Sequence, residues 1–183
     1  MISKNQKVKL SKFLSLILRH QPELIDVNLD DHGWLDISVL ISNSKIKGVN
    51  LDLETIKEIV VTNSKKRFSL NEDCTKIRAN QGHSINVDVQ LKKHIPPEFL
   101  YHGTAQKFKA LIIEKGIQKM SRQHVHLSID VQTAKNVGQR HGKPAVLKIL
   151  AKKMYQEGFE FFISENKVWL TEHVPTRFIT NEI

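Results

Sequence analysis

Five short segments concentrate the residue types that bind phosphate and move protons. They are Leu18-Arg19-His20, Ile77–Ser84 (IRANQGHS), Tyr101–Thr104 (YHGT), Arg122–Ser128 (RQHVHLS) and Gly138–Gly142 (GQRHG). Six of the nine histidines lie in them, a concentration that packing does not require. An arginine offers a planar fork of donors that grips phosphate bidentately and stays charged at any working pH. A histidine donates hydrogen bonds and can act as an acid near neutrality.

Each segment also has a plain structural reading. Arg19-His20 fits a helix C-terminus, where the dipole favours cations. Arg78 fits the solvated face of a strand whose Ile77 and Ala79 turn inward. Asn80, Gln81, His83 and Ser84 read either as RNA or phosphate contacts or as turn residues. His124 and His126 alternate and so share one side of a strand. Two histidines on one face suit a metal, but no neighbouring carboxylate or cysteine supplies a third ligand, and Asp130 is better used as a helix cap. A site without metal is therefore preferred. The glycines of His102-Gly103-Thr104 and Gly138–Gly142 would let backbone approach a ligand closely. Neither loop matches the P-loop or the dinucleotide fingerprint. Trp34 and Trp169 have the rings to stack on bases, and their apolar neighbours favour burial instead.

Helices and strands must carry these segments. Leu10, Phe13, Leu14, Ile17 and Leu18 recur on one helical face, and Gln21-Pro22 ends that helix. Asp36 caps a second helix burying Ile37, Leu40 and Ile41, and Asp52 a third burying Leu53, Ile56, Ile59 and Val60. Arg67–Leu70 and Lys76–Ala79 read as strands joined by a turn at Asn71–Thr75. Three helices followed by a hairpin is the pattern of a winged helix. Val87–Lys93 reads as a linker or short strand, and Pro96-Pro97 marks a boundary. Beyond it, Phe99–Tyr101 reads as a strand and Thr104–Glu114 as a helix burying Phe108, Leu111 and Ile112. Val125–Leu127, Ala145–Leu150, Phe159–Ile163 and Val168–Thr171 read as strands, and Asp130 caps a helix to Val137. The predicted fold class is α+β, with one lobe over residues 1–92 and another over 93–183.

Bulk properties narrow the setting. The 183 residues carry a formal net charge of +9, divided as +3 over residues 1–92 and +6 over 93–183. No like-charged run is long enough for a disordered basic tail. The excess points to a polyanionic partner. No apolar run suits a membrane span, and the N-terminus lacks a signal-peptide core. The single cysteine, Cys74, excludes an intrachain disulfide framework and a multi-thiolate zinc site, so a reducing cytoplasm is expected.

Taken together and in this order, the segments SKFLSLILRHQPE, HGWLDI, KIRANQGHS, LYHGT, RQHVHLS, VGQRHGKPAVL and VWLT resemble the RNA 2′-phosphotransferase family, the NAD-dependent enzymes that remove an internal 2′-phosphate from RNA. They run from Ser11 to Thr171. The resemblance implies an N-terminal winged-helix lobe for RNA and a C-terminal ADP-ribosyltransferase-like lobe for NAD⁺. It implies a catalytic set of Arg19, His20, Arg78 and Arg140, with Arg122 competing for the fourth place. It further implies NAD⁺ contacts from His102, Gly103 and Thr104, then from His126, Leu127 and Ser128, with Val168 at the third motif position. NAD⁺ would be consumed as co-substrate, with no metal. The partner would be RNA bearing an internal 2′-phosphate, such as spliced tRNA, and the protein a monomer without membrane association.

The implied reaction has two steps. The 2′-phosphate displaces nicotinamide to give an ADP-ribosylated 2′-phosphate. The neighbouring ribose hydroxyl then attacks phosphorus, releasing RNA and ADP-ribose 1″,2″-cyclic phosphate. His20 would bond the phosphate or serve as general acid for the leaving 2′-oxygen. Three other readings compete: an ADP-ribosyltransferase that stops after the first step, a winged-helix regulator without catalysis, and a metal-dependent phosphatase built on His124 and His126.

Overall fold

The computed structural model describes residues 2–180 and divides into two units, Met1–Gln90 and Leu91–Ile183. Both mix helices with antiparallel sheets, so the fold class is α+β as expected. Among the described residues, no helix is long and apolar enough to cross a membrane.

The first unit opens with α1 (Lys4–Arg19), started by a capping box between Ser3 and Gln6. Leu14, Ile17 and Leu18 are buried, and Leu10 and Phe13 pack at the edge of the same core. A 3₁₀ turn over Pro22–Ile25 follows. Strand β1 (Trp34–Asp36) leads into α2 (Ile37–Ile46), where the Asp36 carboxylate accepts from Ser38 N and Val39 N. Helix α3 (Leu53–Thr62) is capped by Asp52 through Thr55 N. Strands β2 (Phe68–Leu70) and β3 (Lys76–Ala79) form the expected hairpin. The sequence reading missed β1, which pairs with β3 and makes that strand central in the order β1-β3-β2.

The second unit begins with β4 (Lys92–Lys93), ahead of Pro96-Pro97. Strand β5 (Leu100–Ala105) runs past the predicted Tyr101 to include Thr104, so α4 starts late and spans Gln106–Lys115. The expected burial by α4 is corrected: Phe108 is 43% exposed and Leu111 50%, and Ile112 alone of the three packs on the core. The short strands β6 (Ile117–Gln118) and β7 (Val125–Leu127) precede α5 (Val131–Gly138), which Asp130 caps through Thr133 N. Then come β8 (Pro144–Ile149), α6 (Ala151–Gln156), β9 (Phe162–Ile163), β10 (Trp169–Thr171), β11 (His173–Val174) and β12 (Ile179–Thr180). They form sheets of order β4-β9-β10-β7, β11-β6 and β12-β8-β5. A core of Leu100, Leu127, Leu147, Ile149, Phe161 and Phe178 fills this unit.

Two glycines from the chemistry-rich segments prove structural. A Cβ on Gly103 would lie 1.7 Å from the Ala134 carbonyl oxygen, and one on Gly138 would lie 2.5 Å from that of Thr104. They let β5 and α5 touch backbone to backbone. Because the obstructing atoms are backbone, they cannot swing aside. Gly103→Ala is expected to cost about 3 kcal/mol and to lower the melting temperature by roughly 10–20 °C, as scanning calorimetry would measure.

Candidate active site

In the first unit, secondary structure brings the segments around Arg19 and Arg78 together. Helix α1 ends at Arg19, and the carbonyl of Arg19 accepts the Ser84 N–H at 2.9 Å. The loop after β3 is thereby tied to the helix end, with Gly82 at φ +88° making the reversal. His20 Nδ1 lies 2.9 Å from Ser84 Oγ, and the same hydroxyl faces the Arg19 carbonyl at 3.4 Å. A carbonyl can only accept, so the hydroxyl donates to it and accepts from His20 Nδ1–H.

Arg19 extends its guanidinium to the Arg67 carbonyl at 3.4 Å. Arg78 is positioned by register. Trp34 of β1 stands directly opposite it, and its guanidinium lies 4.5 Å from the Trp34 ring centroid. That cation–π contact fixes the plane of the fork. Ile77 and Ala79 are fully buried, so the predicted alternation on this strand holds. The role of Trp34 as a seat for Arg78 is not visible in the sequence, because β1 is too short to show alternation.

Asn80 is 4% exposed and clamps the β2–β3 hairpin, accepting from Ser69 Oγ at 2.7 Å and donating to the Lys66 carbonyl at 2.8 Å. His83 is 1% exposed, and neither ring nitrogen has a hydrogen-bond partner among the described residues. Burial, reinforced by the charges of Arg19, His20 and Arg78, pushes its pKa down to about 4. Arg19, His20 and Arg78 thus lie near one neutral imidazole. Gly33, at φ +77°, backs onto that ring, and Gln81 is half-buried between Asn80 and Gly82.

His83 predicts an acid sensitivity. The unfolded chain binds its proton near the ordinary value of 6.5 and the folded chain only near 4. In that window the unfolded state holds more protons, so stability is complete above pH 6.5 and lost as pH falls towards 4. The loss attributable to His83 is about 2 kcal/mol between pH 7 and pH 5. The capping carboxylates of Asp36, Asp52 and Asp130 are held below their usual range by hydrogen bonds, so they contribute at lower pH. Urea unfolding of His83→Leu at both pH values should show that loss reduced. An unchanged difference would contradict the buried neutral imidazole.

The second unit gathers its own set. An isolated bridge joins Tyr101 to Ser128, with both backbone bonds made, at 2.9 and 2.7 Å. It brings β5 and β7 together so that His102 Nδ1–H donates to the His126 carbonyl at 3.1 Å. Burial lowers the pKa of His102, partly offset by this bond. The ring is therefore a neutral imidazole whose Nε2 accepts. Arg122 Nη1 lies 3.4 Å from His126 Nδ1. Desolvation and the neighbouring charge of Arg140 lower the pKa of Arg122. Arg140 is exposed on the 3₁₀ turn Gln139–His141. The two candidates for the fourth catalytic place are thus neighbours.

The other expected cofactor positions are more embedded. The Leu127 side chain belongs to the core, and Thr104 is 7% exposed. Ser128 serves the Tyr101 bridge, and Val168 donates its N–H to Ser164 Oγ at 3.1 Å at the entrance to β10. His124, just before β7, packs its ring 5.7 Å from Phe162, while His126 meets Arg122. Burial and Lys119 lower the His124 pKa, partly offset by Glu172. Among the described residues, no three His, Cys, Asp or Glu side chains gather as a metal-binding group. Trp169 is buried and meets His94 edge-on at 6.5 Å.

Residues 5–173 match the model of a family described as "RNA 2'-phosphotransferase, Tpt1 / KptA family". A relative from Flavobacterium johnsoniae named "Probable RNA 2'-phosphotransferase" is 51% identical over 178 residues, covering 97% of this chain and 98% of its own. Proteins of the same name from Fusobacterium nucleatum and Rhodopirellula baltica are 54% and 53% identical, each over at least 94% of this chain and 96% of their own.

Proposed function

The chain belongs to the RNA 2′-phosphotransferase family, and from that membership we propose that it removes an internal 2′-phosphate from RNA at the expense of NAD⁺, using Arg19, His20, Arg78 and Arg140. One observation carries the reading: two arginines and a histidine converge in the first unit, each held by a different device. Arg19 is at a helix end, His20 is bonded to Ser84, and Arg78 is stacked on Trp34.

Such a cluster fits a dianionic phosphate monoester. The nucleophile is already an anion, so no base is needed to create it. Orientation is what the arginines supply. NAD⁺ contributes an electrophilic ribose carbon with nicotinamide as leaving group, and the phosphate departs on ADP-ribose as the 1″,2″-cyclic phosphate. Fixed guanidinium groups stabilise the negative charge that grows on the phosphoryl oxygens. Arg140 is included as the fourth cation on the family resemblance alone. His20, with Nδ1–H committed to Ser84, offers Nε2 to the phosphate or to the departing 2′-oxygen.

The second unit suits a dinucleotide chemically. Neutral His102 presents Nε2 as an acceptor for a ribose hydroxyl, and Arg122 and Arg140 supply positive charge for a pyrophosphate. The first unit acts as a winged-helix RNA lobe and the second as an ADP-ribosyltransferase-like lobe, in a reducing cytoplasm. Incubation with a short RNA bearing one internal 2′-phosphate tests the proposal. Dephosphorylation should require NAD⁺, release nicotinamide and persist in EDTA. Phosphate loss without NAD⁺, or abolished by chelator, would overturn it.

A further inference from the structure

We propose that the groove between α1 and α3 holds the RNA strand flanking the reacting nucleotide, a reading that rests on the proposed function and adds a path for the substrate. The groove encloses about 570 Å³ and runs along one helical stripe of α1, from Lys4 to His20. One end is therefore the phosphate-binding histidine itself.

Its charge selects a polyanion. Helix α1 carries five Lys and Arg residues and no Asp or Glu. Lys4, Lys7, Lys12 and Arg67 line the groove. Glu58 pairs with Lys7 at 2.7 Å, so the attraction comes chiefly from Lys4 and Lys12. Arg67 lies at the rim, its Nη1 donating to Asn63 Oδ1 at 3.4 Å. Its carbonyl receives Arg19. The groove and the catalytic arginine therefore share one residue, and a strand leaving the site passes over it.

Between the cations the surface is apolar. Val8 is 51% exposed and Leu16 36%, although the helix buries other apolar side chains on its opposite face. Alternating cations and apolar patches match a single strand, whose phosphates seek charge and whose bases seek contact away from water. This occupant accounts for both features at once.

The test is length-dependent binding, read as fluorescence anisotropy. The probes are a 2′-phosphorylated dinucleotide and a 12-nucleotide RNA with the same internal modification. For the double variant Lys4→Gln/Lys12→Gln, the 12-mer dissociation constant should rise about tenfold at moderate salt, and its salt slope should fall by roughly two, about one per phosphate contact removed. The dinucleotide should bind within about twofold of wild type. Lys45→Gln, an exposed lysine on α2, is the control and should leave both probes unaffected. Equal weakening of both probes, or the same loss in Lys45→Gln, would overturn the groove. So would displacement of the 12-mer by poly-glutamate at a lower concentration than by unphosphorylated RNA, since a protein partner would then own the surface. Failure of the proposed function would show differently, as wild-type protein that binds both probes and releases no nicotinamide.

Discussion

Arg78→Ala is expected to slow conversion of a 2′-phosphorylated RNA by on the order of 10³-fold or more, the scale lost when a charge-stabilising arginine leaves a phosphoryl-transfer site. The fold should survive, because Ile77 and Ala79 supply the buried face of β3 and Arg78 lies half-exposed. Arg78→Lys should recover little. A lysine is a point charge without a fork, and it cannot stack flat on Trp34. Trp34→Leu should retain the charge and lose its orientation, giving a smaller loss, roughly fivefold, from a contact worth about 1 kcal/mol. Single-turnover rates with saturating NAD⁺ and thermal melts of the same preparations would check all three. Near-wild-type turnover in Arg78→Lys would remove bidentate binding from the account.

His20→Ala ranks next, with an expected loss of about 10²–10⁴ in turnover. Ser84→Ala tests the device that positions it. Losing one neutral hydrogen bond costs about 1 kcal/mol, hence roughly fivefold, and frees the imidazole to change tautomer. The two roles open to His20 differ in what accumulates. A general acid for the departing 2′-oxygen acts in the second step, so His20→Ala would build up ADP-ribosylated RNA. A ligand needed in both steps would slow consumption without that build-up. Gel analysis of quenched time courses separates these, and normal turnover in His20→Ala would remove the residue from the site.

Local chemistry was the legible part of this sequence. Asp36, Asp52 and Asp130 cap the helices their positions suggest, because the Asp side chain reaches the orphaned N–H groups two or three residues on. The stripe ending in Leu14, Ile17 and Leu18 buries itself as its spacing requires. Context decided what could not be read. Strand β1 is three residues long, too short for alternation, so the partner of Arg78 stayed hidden. Helix α4 has apolar residues at helical spacing and buries none of them fully, because periodicity reports a face and not what covers it. Gly103 and Gly138 stood among ligand-like neighbours, yet what each faces is the backbone of a distant element. Arg67 carried no motif. It matters through its carbonyl and its place at the groove, neither visible in a linear chain.

The most direct test follows the phosphate. An RNA labelled with ³²P only at an internal 2′-phosphate is incubated with the protein and NAD⁺, and the products are separated. All of the released label should appear in ADP-ribose 1″,2″-cyclic phosphate, with one nicotinamide formed per phosphate removed. Label appearing as inorganic phosphate, or remaining on RNA as a stable ADP-ribosylated end product, would contradict the account.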